Sequence, residues 1–211
     1  LTEIAKQAFY GCESLESITF PESLKTLDKE VFMNCTALTS VHIPKNLTSI
    51  GVGAFSSSTT SLREITVDAE NTAYTAVDGV LFSKDMTTLY SYPSAKEGET
   101  YDIPTSVTTV YTGAFRNCTL KTITFPYVLE TIGSKAFADS LSLTEVSLPA
   151  SVKKIGTNAF GNCESLQKVY IRNPECEIVE NDGDETFPFA VELYGYVNST
   201  TQQYAEKRGN E

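Results

Sequence analysis

The sequence predicts an α/β solenoid, a pile of short coils stacked in register. Three observations carry this. An Ala-Phe doublet recurs at Ala8-Phe9, Ala54-Phe55, Ala114-Phe115, Ala136-Phe137 and Ala159-Phe160, with Val31-Phe32 as a variant, at Phe-to-Phe steps of 23, 23, 60, 22 and 23 residues. Around each doublet the pattern L-x-x-I-x-x-x-A-F-x-x-C-x-x-L-x-x-I-x-h-P returns, with h apolar. Within the units the second apolar pair alternates with polar residues, and in four of the six it stops at a proline. A fixed period of this size marks units that cannot bury their apolar side alone and must stack.

The first coil runs Leu1, Ile4, Ala8, Phe9, Cys12, Leu15, Ile18, Phe20, Pro21. Ile18 and Phe20 alternate with Ser17 and Thr19, a period of two that predicts a strand with one buried face. Pro21 has no N–H to donate and ends the ladder. Leu24 and Leu27 predict a second, shorter extended piece. Residues 6–10 are too few for a free-standing helix and read as a turn of α or 3₁₀ helix held by Phe9. The second coil continues through Leu27, Val31, Phe32, Cys35, Leu38, Val41, Ile43 and Pro44. The third runs Leu47, Ile50, Ala54, Phe55, Ser58, Leu62, Ile65 and Val67.

The pattern breaks at Asp68 and resumes near Ile103. Between lies Tyr74-Thr75-Ala76-Val77, then Asp78-Gly79, then Val80-Leu81-Phe82. Asp-Gly between apolar runs is a strong hairpin signal, because both turn residues need φ > 0. Ser83-Lys84-Asp85-Met86 predicts a second turn before Thr88-Leu89-Tyr90-Ser91-Tyr92-Pro93. Residues 69–104 thus read as an inserted β meander followed by a polar loop over 94–100.

Repeats resume with Val107, Val110, Ala114, Phe115, Cys118, Leu120, Ile123, Phe125 and Pro126. Two more follow, through Leu129, Ile132, Ala136, Phe137, Ser140, Leu143, Val146, Leu148, Pro149, and through Val152, Ile155, Ala159, Phe160, Cys163, Leu166, Val169, Ile171. After Pro174 the pattern decays into an acidic loop, then Val191-Glu192-Leu193-Tyr194 predicts a strand. Ser199-Thr200-Thr201-Gln202 is a capping-box signature opening a helix that Gly209 stops. The organisation expected is one continuous solenoid: three repeats over 1–68, the insert over 69–104, three repeats over 105–172 and a cap over 173–211.

Eleven Phe and eleven Tyr supply the core's bulk in the absence of Trp. Sixteen basic against 27 acidic residues give a net charge of −11, which argues against nucleic acid and anionic membrane surfaces as partners. No apolar run approaches the roughly 20 residues of a membrane span, and no charged-then-apolar leader is present. The chain opens at Leu1 inside a repeat with none of the polar capping that solenoid ends need. Residue 1 is therefore read as a boundary within a longer parent, of which this is a monomeric module.

The six A-F-x-x-C-type units, the stretch Val77-Asp78-Gly79-Val80-Leu81-Phe82 with Tyr92-Pro93, and the tail Tyr194-Gly195-Tyr196 with Tyr204-Ala205-Glu206-Lys207 resemble the BspA-like leucine-rich repeats of bacterial surface proteins. The resemblance covers nearly the whole chain. Ser58 and Ser140 in place of Cys, and Val31 in place of Ala, are the departures. It implies a right-handed leucine-rich-repeat superhelix at the surface of a gut or oral anaerobe, hence an extracellular location. For some members it implies adhesion or host-protein binding, and it carries over no site residue.

The position three after each Phe holds Cys12, Cys35, Ser58, Cys118, Ser140 and Cys163. Adjacent rungs about 4.8 Å apart bring Cys12 and Cys35 within bridging range, whereas Cys118 and Cys163 sit two rungs apart, beyond the limit of about 7 Å. Alternation with Ser favours a ladder of small buried thiols; Cys176 has no counterpart in the repeat. His42 is the single histidine, expected to point outward from a strand. One His excludes the usual zinc spacing and leaves a Ser-His-Asp triad little to work with. Asp182-Gly183-Asp184-Glu185 lacks the spacing of a dedicated calcium loop and reads as a solvated turn. Asn34, Asn46, Asn117 and Asn198 begin Asn-x-Ser/Thr triplets; Asn34 and Asn117 fall in the tight turn, where a side-chain hydrogen bond to backbone is the expected role. No metal and no cofactor is implied.

The outward strand positions form columns: Ser17 and Thr19, Ser40 and His42, Glu64 and Thr66, Thr122 and Thr124, Glu145 and Ser147, Lys168 and Tyr170. Solenoids present extended curved surfaces, so these twelve are the candidate concave protein-binding face. A solvated sheet of β-favouring Thr and Ser explains them equally. Tyr74, Phe82, Tyr90 and Tyr92 are a rival platform, expected instead to form the meander's own core. The functional expectation is a non-enzymatic cell-surface module that adheres to host or neighbouring-cell proteins. The alternatives are a structural spacer in a larger surface protein and, more remotely, a glycan-processing enzyme.

Overall fold

A computed structural model describes residues 1–55, 60–181 and 185–209. Ser58 and the Asp182-Gly183-Asp184 stretch of the acidic loop lie outside the described residues. The coils form a β-solenoid of about eight turns. Each contributes a short strand to either side of the interior, which forms two core clusters that meet at the insert. On the L-x-x-I side, Glu3–Ile4, Thr26–Leu27 and Ser49–Ile50 pair in parallel. A seven-stranded sheet then runs from Tyr74–Val77 and Val80–Ser83 through Thr88–Ser91, Thr109–Val110, Thr131–Ile132 and Lys154–Ile155 to Glu177–Ile178. The opposite side carries Ser17–Ile18, Ser40–Ile43 and Glu64–Val67, then Thr100–Asp102 with Thr122–Thr124, then Glu145–Leu148, Lys168–Ile171 and Glu192–Tyr194.

The phenylalanines stand in file. Phe9–Phe32 and Phe32–Phe55 stack at 5.5 and 5.8 Å between ring centroids, and Phe115–Phe137 and Phe137–Phe160 at 5.0 and 4.9 Å. Two members of the second file were not anticipated. Tyr92 stacks on Phe115 at 5.1 Å, and Phe187 on Phe160 at 5.3 Å. Both are held as the repeat phenylalanines are: Tyr92 N–H donates to Ala114 C=O just as Phe115 N–H donates to Ala136 C=O, and Phe160 N–H donates to Thr186 C=O.

The helical turns expected in each coil do not form. Among the described residues the one α-helix is Thr200–Lys207. Between the strands the backbone alternates two kinds of bond. Ala8, Tyr10 and Cys12 donate three residues back within their own coil, whereas Gln7, Phe9 and Gly11 donate to Lys29, Val31 and Met33 of the next. A helix would keep all of these inside the coil; here half are given to stacking. The alternation demands left-handed residues two before and two after each Phe. Among the described residues they are Gln7, Glu30, Gly53, Gly113, Lys135 and Asn158 before, and Gly11, Asn34, Asn117, Asp139 and Asn162 after, all with φ between 55° and 72°. Beyond glycine, Asn and Asp tolerate that region best. Asn34 and Asn117 are therefore selected by backbone conformation. The Asn34 side chain reaches Tyr10 Oη at 3.4 Å, not a backbone group.

The Asp78-Gly79 hairpin forms as expected, with φ 49° and 75° at the turn and Tyr74–Val77 antiparallel to Val80–Ser83. The expected polar loop after the meander leads into Thr100–Asp102, a strand that pairs in parallel with Thr122–Thr124. Leu89, Tyr92, Tyr101 and Ile103 thus line a coil of their own. At the C-terminus Ser199 caps the helix by accepting from Gln202 N–H at 3.2 Å, while the Gln202 side chain accepts from Asn198 N–H. Tyr204 closes the file edge-on against Phe187.

Candidate protein-binding face

Alternation within the strands turns all twelve sequence-predicted residues away from the interior. Nine are exposed; Ser40, Lys168 and Tyr170 are half-buried. Strand register sets them in columns. Ser17, Ser40 and Glu64 align, as do His42 and Thr66. Thr19 lies just beyond the ladder that ends at Ile18. Glu145 aligns with Lys168, and Ser147 with Tyr170. Four residues extend these columns. Thr100 and Asp102 sit beside Thr122 and Thr124, and Glu192 and Tyr194 sit beside Lys168 and Tyr170. The signal for the first pair was the Tyr101-Asp102-Ile103-Pro104 run, an I-x-h-P ending written with Tyr in place of Ile.

Side chains along the face are tied across rungs. His42 Nδ1 and Thr66 Oγ1 lie 2.9 Å apart, and Arg172 donates to Ser147 Oγ at 3.1 Å. Tyr170 and Tyr194 stack at 4.6 Å. Tyr194 Oη donates to Glu192 at 2.7 Å, which holds the phenol's pKa up. The face is not continuous. Between Glu64–Val67 and Thr100–Asp102 the insert opens a notch of about 630 Å³, lined in part by Ser40, Arg63, Glu64, Asp78, Lys96 and Glu97. Asp78 in its rim pairs with Lys96 at 3.0 Å.

The cysteines serve the stack. Cys35 Sγ donates to Phe9 C=O and Cys163 Sγ to Phe137 C=O, at 3.1 and 3.0 Å. Ser140 Oγ makes the same bond to Phe115 C=O at 2.9 Å, which is why hydroxyl and thiol interchange at this position. All five thiols are free, and Cys12, in the first coil, is exposed. Cys176 does have a counterpart, though not among the cysteines. Its N–H donates to Asn173 C=O as Val152 N–H does to Pro149 C=O, so it fills the first apolar slot of an L-x-x-I segment shortened by one residue, with Ile178 paired to Ile155. Burial pushes the Cys163 and Cys176 thiols up to about 12. The meander's aromatics are interior packing but not a core of its own: buried Tyr74 and half-buried Tyr90 pack with the first coils, buried Phe82 and Tyr92 with the later ones.

The BspA type leucine-rich repeat region matches residues 1–85 and 88–187, in six copies. This chain belongs to that family. Among solved structures, a leucine-rich cell surface protein from Faecalibacterium prausnitzii shares 27% identity at a TM-score of 0.71, over 97% of this chain and 60% of its own. The pneumococcal vaccine antigen PcpA shares 27% at 0.70, over 99% and 63%. A leucine-rich repeat protein from Eubacterium ventriosum has the same fold at 21% identity and a TM-score of 0.62, over 92% and 70%. The chain spans about 60% of the length of the first two. No curated protein matches it. A surface protein-interaction module is consistent with this family. No helix among the described residues is long and apolar enough to cross a membrane.

Proposed function

We propose that this BspA-type solenoid is a non-enzymatic binding module on a bacterial cell surface, adhering to a host or neighbouring-cell protein through its outward strand residues. The observation that carries the reading is the column set itself. Core residues are committed to coil-to-coil contact, while Ser17, Ser40, His42, Glu64, Thr66, Thr122, Thr124, Glu145, Ser147, Lys168 and Tyr170 are held in register and turned outward, with Thr19 just past the end of its strand. The Tyr170–Tyr194 stack supplies the aromatic anchor that binding hot spots favour. The cell-surface description of the Faecalibacterium relative supports the location.

The test is binding to a panel of matrix and cell-surface proteins by the intact chain and by a Thr124→Ala, Glu145→Ala, Tyr170→Ala variant. Binding reduced by tenfold or more in the variant is expected, from the loss of an anchor worth about 2 kcal/mol. Undiminished binding excludes the face, and no binding to any panel member favours a spacer. A glycan-processing reading would draw on the notch, where Glu64, Asp78 and Glu97 come together. Turnover of a polysaccharide that is lost in Glu64→Gln with Glu97→Gln would replace the binding reading.

A further inference from the structure

Two tyrosines on the outward side of the later coils stand one rung apart and in register. Tyr170 and Tyr194 are Cα partners where Lys168–Ile171 runs parallel to Glu192–Tyr194. Their rings stack at 4.6 Å between centroids and 19° between planes. Val169 and Ile171 are buried, so alternation turns Tyr170 outward, half-buried, with Tyr194 beside it. Tyr194 Oη donates to a Glu192 carboxylate oxygen at 2.7 Å. One phenol ring thus lies against another, with a carboxylate at hand for its proton.

Among the described residues no other tyrosine combines these features. Tyr90 and Tyr111 lie 4.8 Å apart, but Tyr74 packs edge-on against Tyr90 and neither hydroxyl is bonded to a carboxylate. Tyr92, Tyr101 and Tyr204 pack on phenylalanine rings. Tyr10, Tyr127 and Tyr196 are exposed without a ring partner. The outward rings of Tyr170 and Tyr194 have room to turn about their Cβ–Cγ bonds. That turn sets ortho carbon to ortho carbon, because two ring radii plus one carbon–carbon bond fall just under the rung spacing of about 4.8 Å.

We propose that Tyr170 and Tyr194 are an oxidative crosslinking site, joined as dityrosine by a one-electron oxidant, a peroxidase acting with hydrogen peroxide. Each phenol loses one electron and its phenolic proton, and at Tyr194 the proton passes to Glu192, a positioned base. The two radicals couple through one ortho carbon each. The two ring hydrogens displaced there move to the oxygens and restore both phenols. The two electrons and two protons reduce peroxide to water. The new bond closes a chain loop and ties the last strand to its neighbour, restraining the unfolded chain as a disulfide does. The inference does not depend on the outward columns being a binding face.

The test treats the intact chain, in dilute solution, with a haem peroxidase and hydrogen peroxide, and digests the monomer fraction with trypsin. Residues 169–172 hold Tyr170 as their one tyrosine, and 173–207 hold Tyr194, Tyr196 and Tyr204. The expected product is a monomer with dityrosine fluorescence. Its digest contains 169–172 joined to 173–207, lighter than their sum by two hydrogens, and fragmentation places the bond at Tyr194. Tyr194→Phe should abolish this product, and Glu192→Gln should slow its formation several-fold. An unchanged rate in Glu192→Gln overturns the carboxylate's part. Bonds only between molecules, at Tyr10, Tyr127 or Tyr196, overturn the site. So does an internal Tyr90–Tyr111 bond that forms first, or no dityrosine at all, and neither result needs a variant.

Discussion

The insert meets the coils before it and the coils after it in different ways. Toward the first three coils it is a seal made by single groups. Tyr74 Oη accepts from Ile50 N–H at 3.0 Å and donates to Thr48 C=O at 3.4 Å, occupying the edge that a next strand would take. Buried Asn71 donates to Pro44 and Leu47 C=O and accepts from Ala73 and Tyr74 N–H, all within 2.9 Å. On the other side, Gly79 C=O takes Ile65 N–H and Leu62 C=O takes Ala95 N–H. Toward the later coils the insert is a template. Thr88 and Leu89 register with Thr109 and Val110, and Tyr92 starts the second ring file. The strand Val80–Ser83 faces both ways, so Leu81 packs in the first core cluster while Val80 and Phe82 pack in the second. A seal of single groups is easily broken; a template shared by many residues is not.

The largest expected effect tests the second cluster through alkali. Cys163 and Cys176 hold their protons up to about 12 when folded, against about 9 for a free thiol. The native state then keeps protons the unfolded chain has lost. Stability is intact below about pH 9 and falls as pH rises toward 12, at about 1.4 kcal/mol per unit for each thiol. Buried Tyr74 and Tyr92, also raised to about 12, add to the fall above their ordinary value near 10. Denaturant titrations at pH 8 and 11 should differ by several kcal/mol; equal midpoints would contradict the burial. Asp139, held below the ordinary carboxylate range against its own burial by bonds from Asn162 and Arg116, acts in the opposite window. Its contribution is present above about pH 4 and is lost as pH falls through its lowered value.

Phe137→Ala removes a ring from the middle of the later file and should cost about 3–5 kcal/mol. Asn71→Ala strands three buried backbone groups and the half-buried Ala73 N–H, and should cost about 3 kcal/mol. The sharper expectation is its pattern. Circular dichroism during urea unfolding should resolve into two steps, the first three coils melting before the rest, because the seal and not the template is lost. A single transition with Asn71→Ala would show the two flanks to be equally coupled. Tyr74→Phe, which leaves Ile50 N–H without its partner, should cost about 1–2 kcal/mol. Cys163→Ser is expected to be the mildest, under about 1 kcal/mol, since Ser140 makes the same bond one coil earlier.

The template side is also where the sequence was harder to read. The ring file, the strand positions and the Asp-Gly hairpin were legible, because period and turn chemistry act locally. The coil through Tyr92 and Ile103 was not. It carries Tyr92 in the Phe slot and Tyr101 in an Ile slot, only two residues part Leu89 from Tyr92 where four part Ile4 from Phe9, and no Ala precedes the ring. Phe187 was hidden by a 27-residue step from Phe160. The misjudged helical turns have a different cause. The sequence between strand and Phe suits a helical turn locally, but each coil gives alternate N–H groups to its neighbour, and that preference exists only in the stack. Gly51, Gly133 and Gly156 record the same closeness, since a Cβ on any of them would stand 2.5–2.6 Å from the preceding coil's backbone. Which strand positions turn outward was legible to the residue within the regular coils. Thr100, Asp102, Glu192 and Tyr194 were missed with the irregular coils that carry them.

The claim that every coil, the insert's included, is held by its neighbour is tested most directly by native-state amide exchange at Tyr92 and Ile103. Their N–H groups donate to Ala114 and Thr124 C=O in the next coil, as Phe137 N–H donates to Ala159 C=O. Exchange of Tyr92 and Ile103 as slow as that of Phe137 is predicted. Exchange as fast as that of the exposed turn residue Glu97 would contradict the account.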